Sequence, residues 1–342
     1  MPVTLREIAA ITGFCRATVD KVVHNRPGVR EETRRRILQV MADLAYKPNI
    51  AGRALKMQKQ KLTLTAVLLK TDSFIPIAEG IKEQLKHYES FGLAVDIQAV
   101  DCPDAEGQEK ILRECAEKDI AGLILTPLND DRIAAAVNRL VERHIPVITV
   151  NNDLSGSARS CFVGQNLRQA GRAAGRMVAM FIAGRGSVAV FVGSRDVLWD
   201  QRRLEGFEEL LRDQYPEIAV AKIIVTGEDP VRTYQETAKL LQEHPEIDAI
   251  YITTGRAQEV GRAASALGFA GKITIVCFDL YDAVRDLVRR GVIDCAIGQD
   301  LHRQGALPAQ LFFQHLYYNE QLPQGEIFTS IDIRIAENID SA

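Results

Sequence analysis

Apolar residues recur at intervals of three and four in three short segments near the start of the chain. The first segment, 5–12, follows a Thr-x-x-Glu capping box and ends at Gly13. The second segment covers 16–24 and the third covers about 31–45. Two short helices joined by a glycine turn, with a third helix against them, predict a helix-turn-helix unit.

The same spacing predicts which side chains of this unit face outward. Val19, Val22 and Val23 are spaced to pack inward in the second helix. The outward positions of that helix are Arg16, Ala17, Asp20, Lys21 and His24. The apolar side of the third helix is predicted to carry Ile37, Leu38, Met41, Leu44 and Ala45. Arginine and lysine on an exposed helix can donate to base edges or phosphates, although periodicity alone also allows a generic three-helix domain.

From residue 62 onward, short apolar runs alternate with segments of helical periodicity. The runs predicted as strands include Leu64–Leu69, Ala94–Val100, Gly122–Leu125, Val147–Val150, Val188–Val192, Ile223–Val225, Ala249–Ile252 and Ile273–Phe278. The helical segments include Ile77–Tyr88, Gln108–Lys118, Arg132–Arg143 and Gln169–Ile182. This alternation predicts parallel sheets covered by helices on both faces, and about 280 residues suit two such lobes. Because open parallel sheets bind ligands at the carboxyl ends of their strands, two facing lobes would form a cleft there.

Charge is distributed unevenly along the chain. Residues 1–61 hold 13 Lys and Arg against 5 Asp and Glu, whereas residues 62–342 hold 29 against 40. The formal net charge of −3 for the whole chain conceals this division. A small basic head on a large acidic body indicates that the head meets a polyanion such as nucleic acid, while the body stays off it.

Composition and motifs narrow the classes of function. With 46% apolar and 25% charged residues, the chain is typical of soluble proteins. No apolar run approaches the ~18 residues of a membrane span, and the N-terminus lacks the pattern of a secretory signal. The six dispersed cysteines, without a CxxC motif, favour a reducing cytoplasm and argue against a zinc site or disulfides. The chain has no GxGxxG after a strand and no GxxxxGK[ST], HExxH or GxSxG motif, so we expect no catalytic residues, no metal and no cofactor.

Residues 3–57 carry four motifs whose order and spacing fit one pattern throughout without a gap: VTLREIA, TVDKVVHN, TRRRILQVMADLAYKPN and the ARALK-like Gly52–Lys56. In this order and spacing they resemble the lactose-repressor (LacI/GalR) family of bacterial transcriptional regulators. The resemblance implies a helix-turn-helix head at 1–48 and a hinge helix with linker at 49–61. The hinge helix would lie in the minor groove, where Leu55 would wedge between base pairs. It further implies a homodimer on a near-palindromic double-stranded operator, with one head per half-site.

The residues predicted to bind DNA are Thr4, Arg16, Ala17, Thr18, Lys21, His24, Asn25, Arg53 and Leu55. Two positions depart from the family pattern. Cys15 stands at the cap of the second helix and Arg30 before the third, where relatives usually or often have serine. Because losing a side-chain cap typically costs ~1 kcal/mol, we expect a head of lower than average stability.

Nearly all of residues 62–342 is similar to the sugar-binding core of the same family, which periplasmic sugar-binding proteins share. This implies an α/β core of two doubly wound parallel-sheet lobes of the type 1 periplasmic-binding-protein kind. The first lobe would comprise about 62–163 and 296–326, and the second about 164–295 and 327–342. The effector-binding residues carried over from the resemblance are Phe74, Asn151, Asn152, Trp199, Arg203, Phe278, Asp279 and Gln299. Arg203 resembles an arginine that donates to sugar hydroxyls or a ring oxygen, and Asp279 resembles an acceptor of two sugar hydroxyls.

Several of these side chains also suit purely structural roles. Arg203 suits a surface ion pair and Asp279 a helix cap, whereas Phe74 and Phe278 suit the core. Trp199 suits the cleft and core packing equally.

One departure in the body bears on the ligand. Relatives commonly carry Asn-Asp where this chain has Gly255 and Arg256, which removes a hydrogen-bonding pair and adds a cation. A phosphorylated or acidic sugar derivative, or a cyclitol, therefore remains open beside an ordinary sugar.

These features and the resemblance predict a cytoplasmic, allosteric transcriptional regulator, most simply a repressor, that responds to a sugar-like effector and associates with the nucleoid when bound to DNA. The sequence does not fix whether the effector releases or promotes DNA binding; release is the commoner behaviour in the family that it resembles and is the expectation here. Three other classes compete with this regulator. A soluble sugar-binding protein for transport would need a secretory signal and no basic head. An enzyme on the two-lobed fold would need catalytic residues, and a DNA-organising protein without a ligand would leave the cleft residues unused.

Overall fold

The structure is a computed structural model that describes residues 3–23, 26–44, 46, 62–154, 156–194 and 197–340. His24, Asn25 and the predicted hinge at 49–61, with Arg53 and Leu55, lie outside the described residues.

Three helices form the head, as the periodicity predicts: α1 (Leu5–Thr12), α2 (Arg16–Val23) and α3 (Glu31–Asp43). Ile8, Val19, Val22 and Ile37 form its buried core. Val19 and Val22 lie on the face of α2 opposite the exposed Arg16, Ala17 and Lys21. The head therefore has a very small core and one exposed basic helix.

Helix ends in the head follow the sequence closely, with one error in the predicted faces. Thr4 and Glu7 form the capping box, in which the Thr4 backbone N–H donates to Glu7 Oε2 at 2.6 Å. These hydrogen bonds from Thr4 lower the pKa of Glu7. At Arg30 no side chain caps α3. The prediction that Leu38 faces the core is wrong: its side chain is 46% exposed, and Val40 packs against the core in its place.

Twelve strands and nine further helices of the described residues build the core. The strands are β1 (Leu62–Leu69), β2 (Leu93–Val100), β3 (Gly122–Leu125), β4 (Val147–Val150), β5 (Cys161–Gly164), β6 (Gly186–Val192), β7 (Ile218–Val225), β8 (Ala249–Ile252), β9 (Thr274–Phe278), β10 (Cys295–Gly298), β11 (Gly325–Phe328) and β12 (Asp332–Arg334). The helices are α4 (Phe74–Lys86), α5 (Ala105–Glu117), α6 (Asp131–Glu142), α7 (Leu167–Phe181), α8 (Leu198–Gln214), α9 (Pro230–Glu243), α10 (Ala257–Ala266), α11 (Asp282–Arg289) and α12 (Leu301–Phe313). Short 3-10 and π segments lie at Glu89–Phe91 and Gln314–Tyr318.

The strands form two six-stranded sheets, one in each lobe. Their orders are β2-β1-β3-β4-β5-β11 and β7-β6-β8-β9-β10-β12. Central strands such as β3, β4 and β8 are buried along their whole length, as expected for sheets covered on both faces. Both sheets are parallel, as expected, apart from one edge strand: β12 pairs antiparallel with β10. After β11 the chain crosses back to the second lobe and ends that sheet in the reverse direction.

The chain crosses between the lobes at 165–166, 299–300 and 329–331. All three crossings lie later in the chain than the division expected from the sequence, the first because Gly164 still belongs to β5 of the first sheet. Residues 296–298 belong to β10, which pairs with β9 in the second sheet, and residues 327–328 belong to β11, which pairs with β5 in the first.

Hydrogen bonds join the three crossings to one another. Gln165 Nε2 donates to the Gly298 carbonyl at 3.0 Å. Gln304 Nε2 and Thr329 Oγ1 both donate to the Gln299 carbonyl, at 2.7 and 3.0 Å. Each crossing is thereby tied to at least one other.

Paired glycines bring two helices together closely in each lobe. Gly171 of α7 faces Gly206 of α8 in the second lobe, and Gly80 of α4 faces Gly305 of α12 in the first. A Cβ atom at any of the four would overlap a backbone carbonyl oxygen of the opposing helix. In the second lobe this close contact fixes the position of α8, which carries Asp200 and Arg203.

Candidate functional site

The first five strands of each sheet follow the doubly wound order 2-1-3-4-5, so each sheet has a topological switch point next to its first strand. Ligands of such sheets bind outside the carboxyl ends of the strands at that point. In the first lobe Phe74, Asn151 and Asn152 follow β1 and β4. In the second lobe Asp279 and Gln299 follow β9 and β10.

Arg203 is the buried cation of the second lobe. It lies on α8 and is only 3% exposed, and its Nη1 donates to the Thr253 carbonyl at 2.7 Å. Its guanidinium carbon stands 3.7 Å from the centre of the Phe278 ring, a cation–π arrangement. Its Nε hydrogen-bonds to no described residue. Arg203 therefore is no surface ion pair, and it retains donor capacity in a buried position.

Phe278 requires a correction. Its side chain is fully buried in the core of the second lobe, and the guanidinium of Arg203 covers its ring. A ring in this position supports Arg203 rather than offering a face to a ligand. We reassign Phe278 from a direct effector contact to the platform on which Arg203 is placed.

Asp200 lies one helical turn before Arg203 and is 1% exposed. Its Oδ2 accepts from the backbone N–H groups of Gly193 and Ser194 at 3.1 and 2.9 Å, and Oδ1 accepts from Thr253 Oγ1. Burial raises the pKa of Asp200, and these hydrogen bonds oppose that shift. Asp200 therefore fixes the loop after β6 and the end of β8 around Arg203.

A chain of side-chain hydrogen bonds connects the two lobes through Gln299. Gln299 Nε2 donates to Asp279 Oδ1 at 2.6 Å, and Gln299 Oε1 accepts from Asn151 Nδ2 at 3.2 Å. Asn151 also donates to Gln304 Oε1 at 3.1 Å and accepts from Ser73 Oγ at 3.4 Å. Asp279 and Asn151 both have positive φ, 69° and 63°, which turns each backbone sharply after its strand. Three of the predicted effector residues thus form one connected group.

Asn152 and Trp199 belong to a second group. They line a cavity of about 260 Å³ together with Pro127, Leu128 and Asp130 of the first lobe. Asn152 Nδ2 donates to the Pro127 carbonyl at 3.5 Å. Phe74 is half-buried and packs against the core of the first lobe. The predicted effector residues therefore divide between the hydrogen-bonded chain, this cavity and the core.

Arg256 forms ion pairs with one carboxylate from each lobe. Its Nη2 lies 3.5 Å from Asp72 Oδ2, and its Nε lies 3.4 Å from Glu228 Oε2. Burial, followed by the nearby Asp200 carboxylate, raises the pKa of Glu228 to about 7. The cation that replaces the expected hydrogen-bonding pair is therefore already compensated by acidic side chains.

Sequence reasoning missed Asp200, Gln304 and Glu228. A usable signal existed for the first: Asp200, Arg203, Phe207, Leu210 and Leu211 follow the three- and four-residue spacing of one helix face, and all are buried. The other two gave no such signal. Gln304 lies on a helix of mixed composition, and Glu228 lies in a loop after an edge strand.

The head presents the other candidate surface. Arg16, Ala17 and Lys21 are exposed on α2. Thr18 is half-buried, with its hydroxyl 3.1 Å from Cys15 Sγ, and hydrogen bonds from Thr18 lower the pKa of Cys15. The exposed Thr4 belongs to the capping box of α1. The small side chain of Ala17, next to the exposed Arg16, lets this basic helix approach a nucleic-acid groove closely.

Within the described part of the chain, no helix is long and apolar enough to cross a membrane. Among the same residues, no group of three or more His, Cys, Asp or Glu side chains is placed to hold a metal ion.

Two protein-family models match the chain. The model described as "Bacterial regulatory proteins, lacI family" matches residues 4–49, and the model described as "Periplasmic binding protein domain" matches residues 66–320. The first covers the three-helix head, and the second covers most of the two-lobed core.

Similar proteins include the HTH-type transcriptional regulator DegA of Bacillus subtilis (strain 168), 22% identical over 246 residues, which are 71% of each chain. The sucrose operon repressor of Shigella flexneri is 25% identical over 265 residues, 74% of this chain and 76% of the repressor. Among solved structures, the sugar-binding protein of a sugar ABC transporter from Bacillus halodurans gives a TM-score of 0.75 at 23% identity. That match covers 81% of this chain and 99% of the other, and it shows a shared fold.

Proposed function

This chain belongs to the lacI family of bacterial regulatory proteins, and on that premise we propose that it is a cytoplasmic homodimeric repressor controlled by a sugar or sugar-like effector. It is a DNA-binding transcriptional regulator, as are its relatives. The effector binds between the lobes and lowers affinity for a near-palindromic operator. In the nucleoid, Arg16 and Lys21 contact the major groove, and Leu55 of the hinge contacts the minor groove.

One observation carries the effector proposal. Arg203 is buried at the carboxyl ends of the second sheet with an Nε that hydrogen-bonds to no described residue. A buried donor without a partner is costly, so a ligand oxygen placed beside Nε would supply the acceptor that the described residues do not. Asp279 supplies the matching acceptor at the same edge of the sheet. A guanidinium and a carboxylate together suit adjacent hydroxyl groups.

The coupling proposal rests on the hydrogen-bonded chain from Asn151 through Gln299 to Asp279. Its two ends lie in different lobes, so a ligand that engages either end changes the contact between them. In the dimer, a change of lobe orientation alters the separation of the two hinges. Such coupling is typically worth ~1–3 kcal/mol between two sites.

The homodimer proposal draws on apolar side chains exposed in both lobes. Ile75, in the first turn of α4, is 63% exposed, and Val231, in the first turn of α9, is 64% exposed. Tyr234 lies one turn after Val231 and is 38% exposed. Sedimentation equilibrium should give twice the 37.9 kDa of one chain.

The central experiment combines thermal shift and operator binding. Full-length protein is first used to capture genomic DNA fragments, which supplies the operator. A panel of neutral sugars, sugar acids, sugar phosphates and cyclitols is then screened for thermal stabilisation, which is ~2.7 kcal/mol at a hundred times the dissociation constant. Trp199, the single tryptophan, lines the interlobe cavity and gives a second signal through its fluorescence.

A ligand that stabilises the protein should also weaken operator binding in an electrophoretic mobility titration. Tighter operator binding in its presence would reverse the sign of the response. If no fragment is captured at low salt, the DNA-binding proposal is refuted. If no panel member shifts the melting temperature or the fluorescence, the sugar-effector proposal is refuted.

A further inference from the structure

Arg256 connects the lobes by charge. It follows β8 in the second lobe, yet its Nη2 lies 3.5 Å from Asp72 Oδ2, which follows β1 in the first lobe. Its Nε lies 3.4 Å from Glu228 Oε2, which follows β7. We refer to Asp72, Arg256 and Glu228 as the clamp. The clamp spans the same edges of the two sheets as the proposed effector site.

Gly255 leaves room for the first of these pairs. A Cβ atom at Gly255 would stand 3.3 Å from Asp72 Oδ2 and 3.9 Å from the ring of Tyr281. Any side chain at this position would crowd the carboxylate that crosses the cleft. The pair Gly255-Arg256 thus supplies both the cation of the clamp and the space for its partner.

Carboxylates already outnumber cations around the clamp. The carboxylates of Glu228 and Asp200 meet at Gly193. A Cβ atom built on Gly193 would contact Glu228 Oε1 and would stand 3.0 Å from Asp200 Oδ2. Burial, followed by the neighbouring Asp200 carboxylate, raises the pKa of Glu228, and the closeness of these two carboxylates indicates that the second lobe resists further negative charge here. An anionic ligand group at Arg256 would have to displace one carboxylate and remain beside the other.

We propose that the clamp makes the cleft selective for uncharged polyhydroxyl ligands and excludes sugar acids and sugar phosphates. The inference rests on the proposed effector function and narrows its ligand class. Arg256 acts here as a specificity-determining residue whose charge is neutralised by one carboxylate from each lobe. Neutral hydroxyls are read by Arg203 and Asp279, which require no net charge on the ligand.

The test compares matched ligands on full-length protein by isothermal titration calorimetry. The probes are glucose with glucuronate and glucose 6-phosphate, galactose with galacturonate and galactose 6-phosphate, and myo-inositol with myo-inositol 1-phosphate. Wild-type protein should bind one neutral member, and should bind the charged members of that series at least tenfold more weakly.

The clamp is then opened by the double variant Asp72→Asn, Glu228→Gln. Both side chains keep more than 40% of their surface exposed, Glu228 despite the partial burial that raises its pKa, so the fold should persist. In this variant Arg256 is left without its two countercharges. The ratio of the affinities for the charged and the neutral ligand should rise at least tenfold in this variant. Asp101→Asn is the matched control, because Asp101 lies at the same edge of the first lobe but pairs with Lys70 at 2.8 Å, and it should keep the wild-type preference.

Four results would overturn the inference. Wild-type protein that binds a sugar acid or phosphate as tightly as the neutral parent contradicts it, while the effector function stands. An unchanged preference in the double variant, or an equal shift in Asp101→Asn, contradicts the role of the clamp. Failure of wild-type protein to bind any member of these series or of the wider thermal-shift panel refutes the sugar-effector function and the inference with it.

Discussion

Asp279→Asn is the sharpest test of the effector site, because the structure separates its effect on ligand recognition from its effect on folding. Asp279 has φ 69°, in the left-handed region, which asparagine adopts readily and alanine does not. An asparagine Oδ1 can still accept the hydrogen bond that Gln299 Nε2 donates at 2.6 Å. The fold should therefore be retained, with a melting temperature close to that of the wild type.

The expected loss of affinity follows from the charge that is removed. A hydrogen bond to a charged group contributes about 1.5–3 kcal/mol, against about 0.5–1.5 kcal/mol for a neutral pair. For two ligand hydroxyls donating to one carboxylate, the total loss is about 2 kcal/mol. At 1.4 kcal/mol per tenfold change, this corresponds to roughly 30-fold weaker effector binding.

Calorimetry with the neutral ligand identified in the panel gives the affinity, and a mobility titration gives the effector concentration that half-releases the operator. Both should change by the same factor, with effector-free operator affinity unchanged. Asp300→Asn is the matched control: Asp300 also has positive φ, but it is exposed and caps α12 by accepting from Arg303 N at 3.1 Å. Effector affinity within twofold of wild type in Asp279→Asn, or an equal loss in Asp300→Asn, would refute the assigned role.

Four further outcomes can be measured. Because Glu228 has a pKa of about 7 in the folded protein against 4.5 unfolded, it contributes stability that is fully present below pH 4.5 and lost as the pH rises through 7. The melting temperature of the wild type should therefore fall more steeply from pH 5 to 8 than that of Glu228→Gln, and parallel profiles would contradict this. Thr4→Ala removes the cap of α1, worth about 1 kcal/mol, and should speed hydrogen exchange of the α1 amides about fivefold; unchanged exchange would count against the cap. Gly171→Ala should lower the free energy of unfolding in urea by about 1–3 kcal/mol, because the added Cβ would overlap a backbone carbonyl. Gly175→Ala should lower it by less, because a Cβ at Gly175 would stand 3.1 Å from the Leu210 side chain and 3.4 Å from the side chain and carbonyl of Phe207. Leu55→Ala should weaken operator binding in a mobility titration and leave effector affinity intact, and equal operator affinity would reject the wedge.

Local patterns in the sequence were sufficient for the architecture. Three of the strands, Gly122–Leu125, Val147–Val150 and Ala249–Ile252, have the predicted bounds, since fully buried strands are continuous apolar runs with sharp ends. The capping box and Gly13 also mark both ends of α1 in the sequence, because each is a contact between residues that are close neighbours in the chain. By contrast, β12 consists of three residues at a sheet edge, and its antiparallel direction depends on where the chain returns after β11.

The candidate site was predictable only in part, because its contacts join distant segments. Arg203 and Asp279 were proposed as effector residues from the resemblance of their motifs to the family, whereas the burial of Phe278 beneath Arg203 is set by packing between α8 and β9. The ion pair of Arg256 with Asp72 joins residues 184 positions apart, which no local pattern encodes. A sequence motif names the side chains at a strand end, but only the packed lobes decide which of them face each other.

The hydrogen bonds among the three crossings reduce how the lobes can move. Gly298 and Gln299 supply the carbonyls to which Gln165, Gln304 and Thr329 donate, so none of these segments can bend without straining another. We therefore expect the three crossings to bend together, which would leave the lobes one angle of opening. A small molecule would then have to change only that angle. Thr329 is remote in sequence from every proposed ligand contact, yet a substitution there would change how rigidly the lobes are held at that angle.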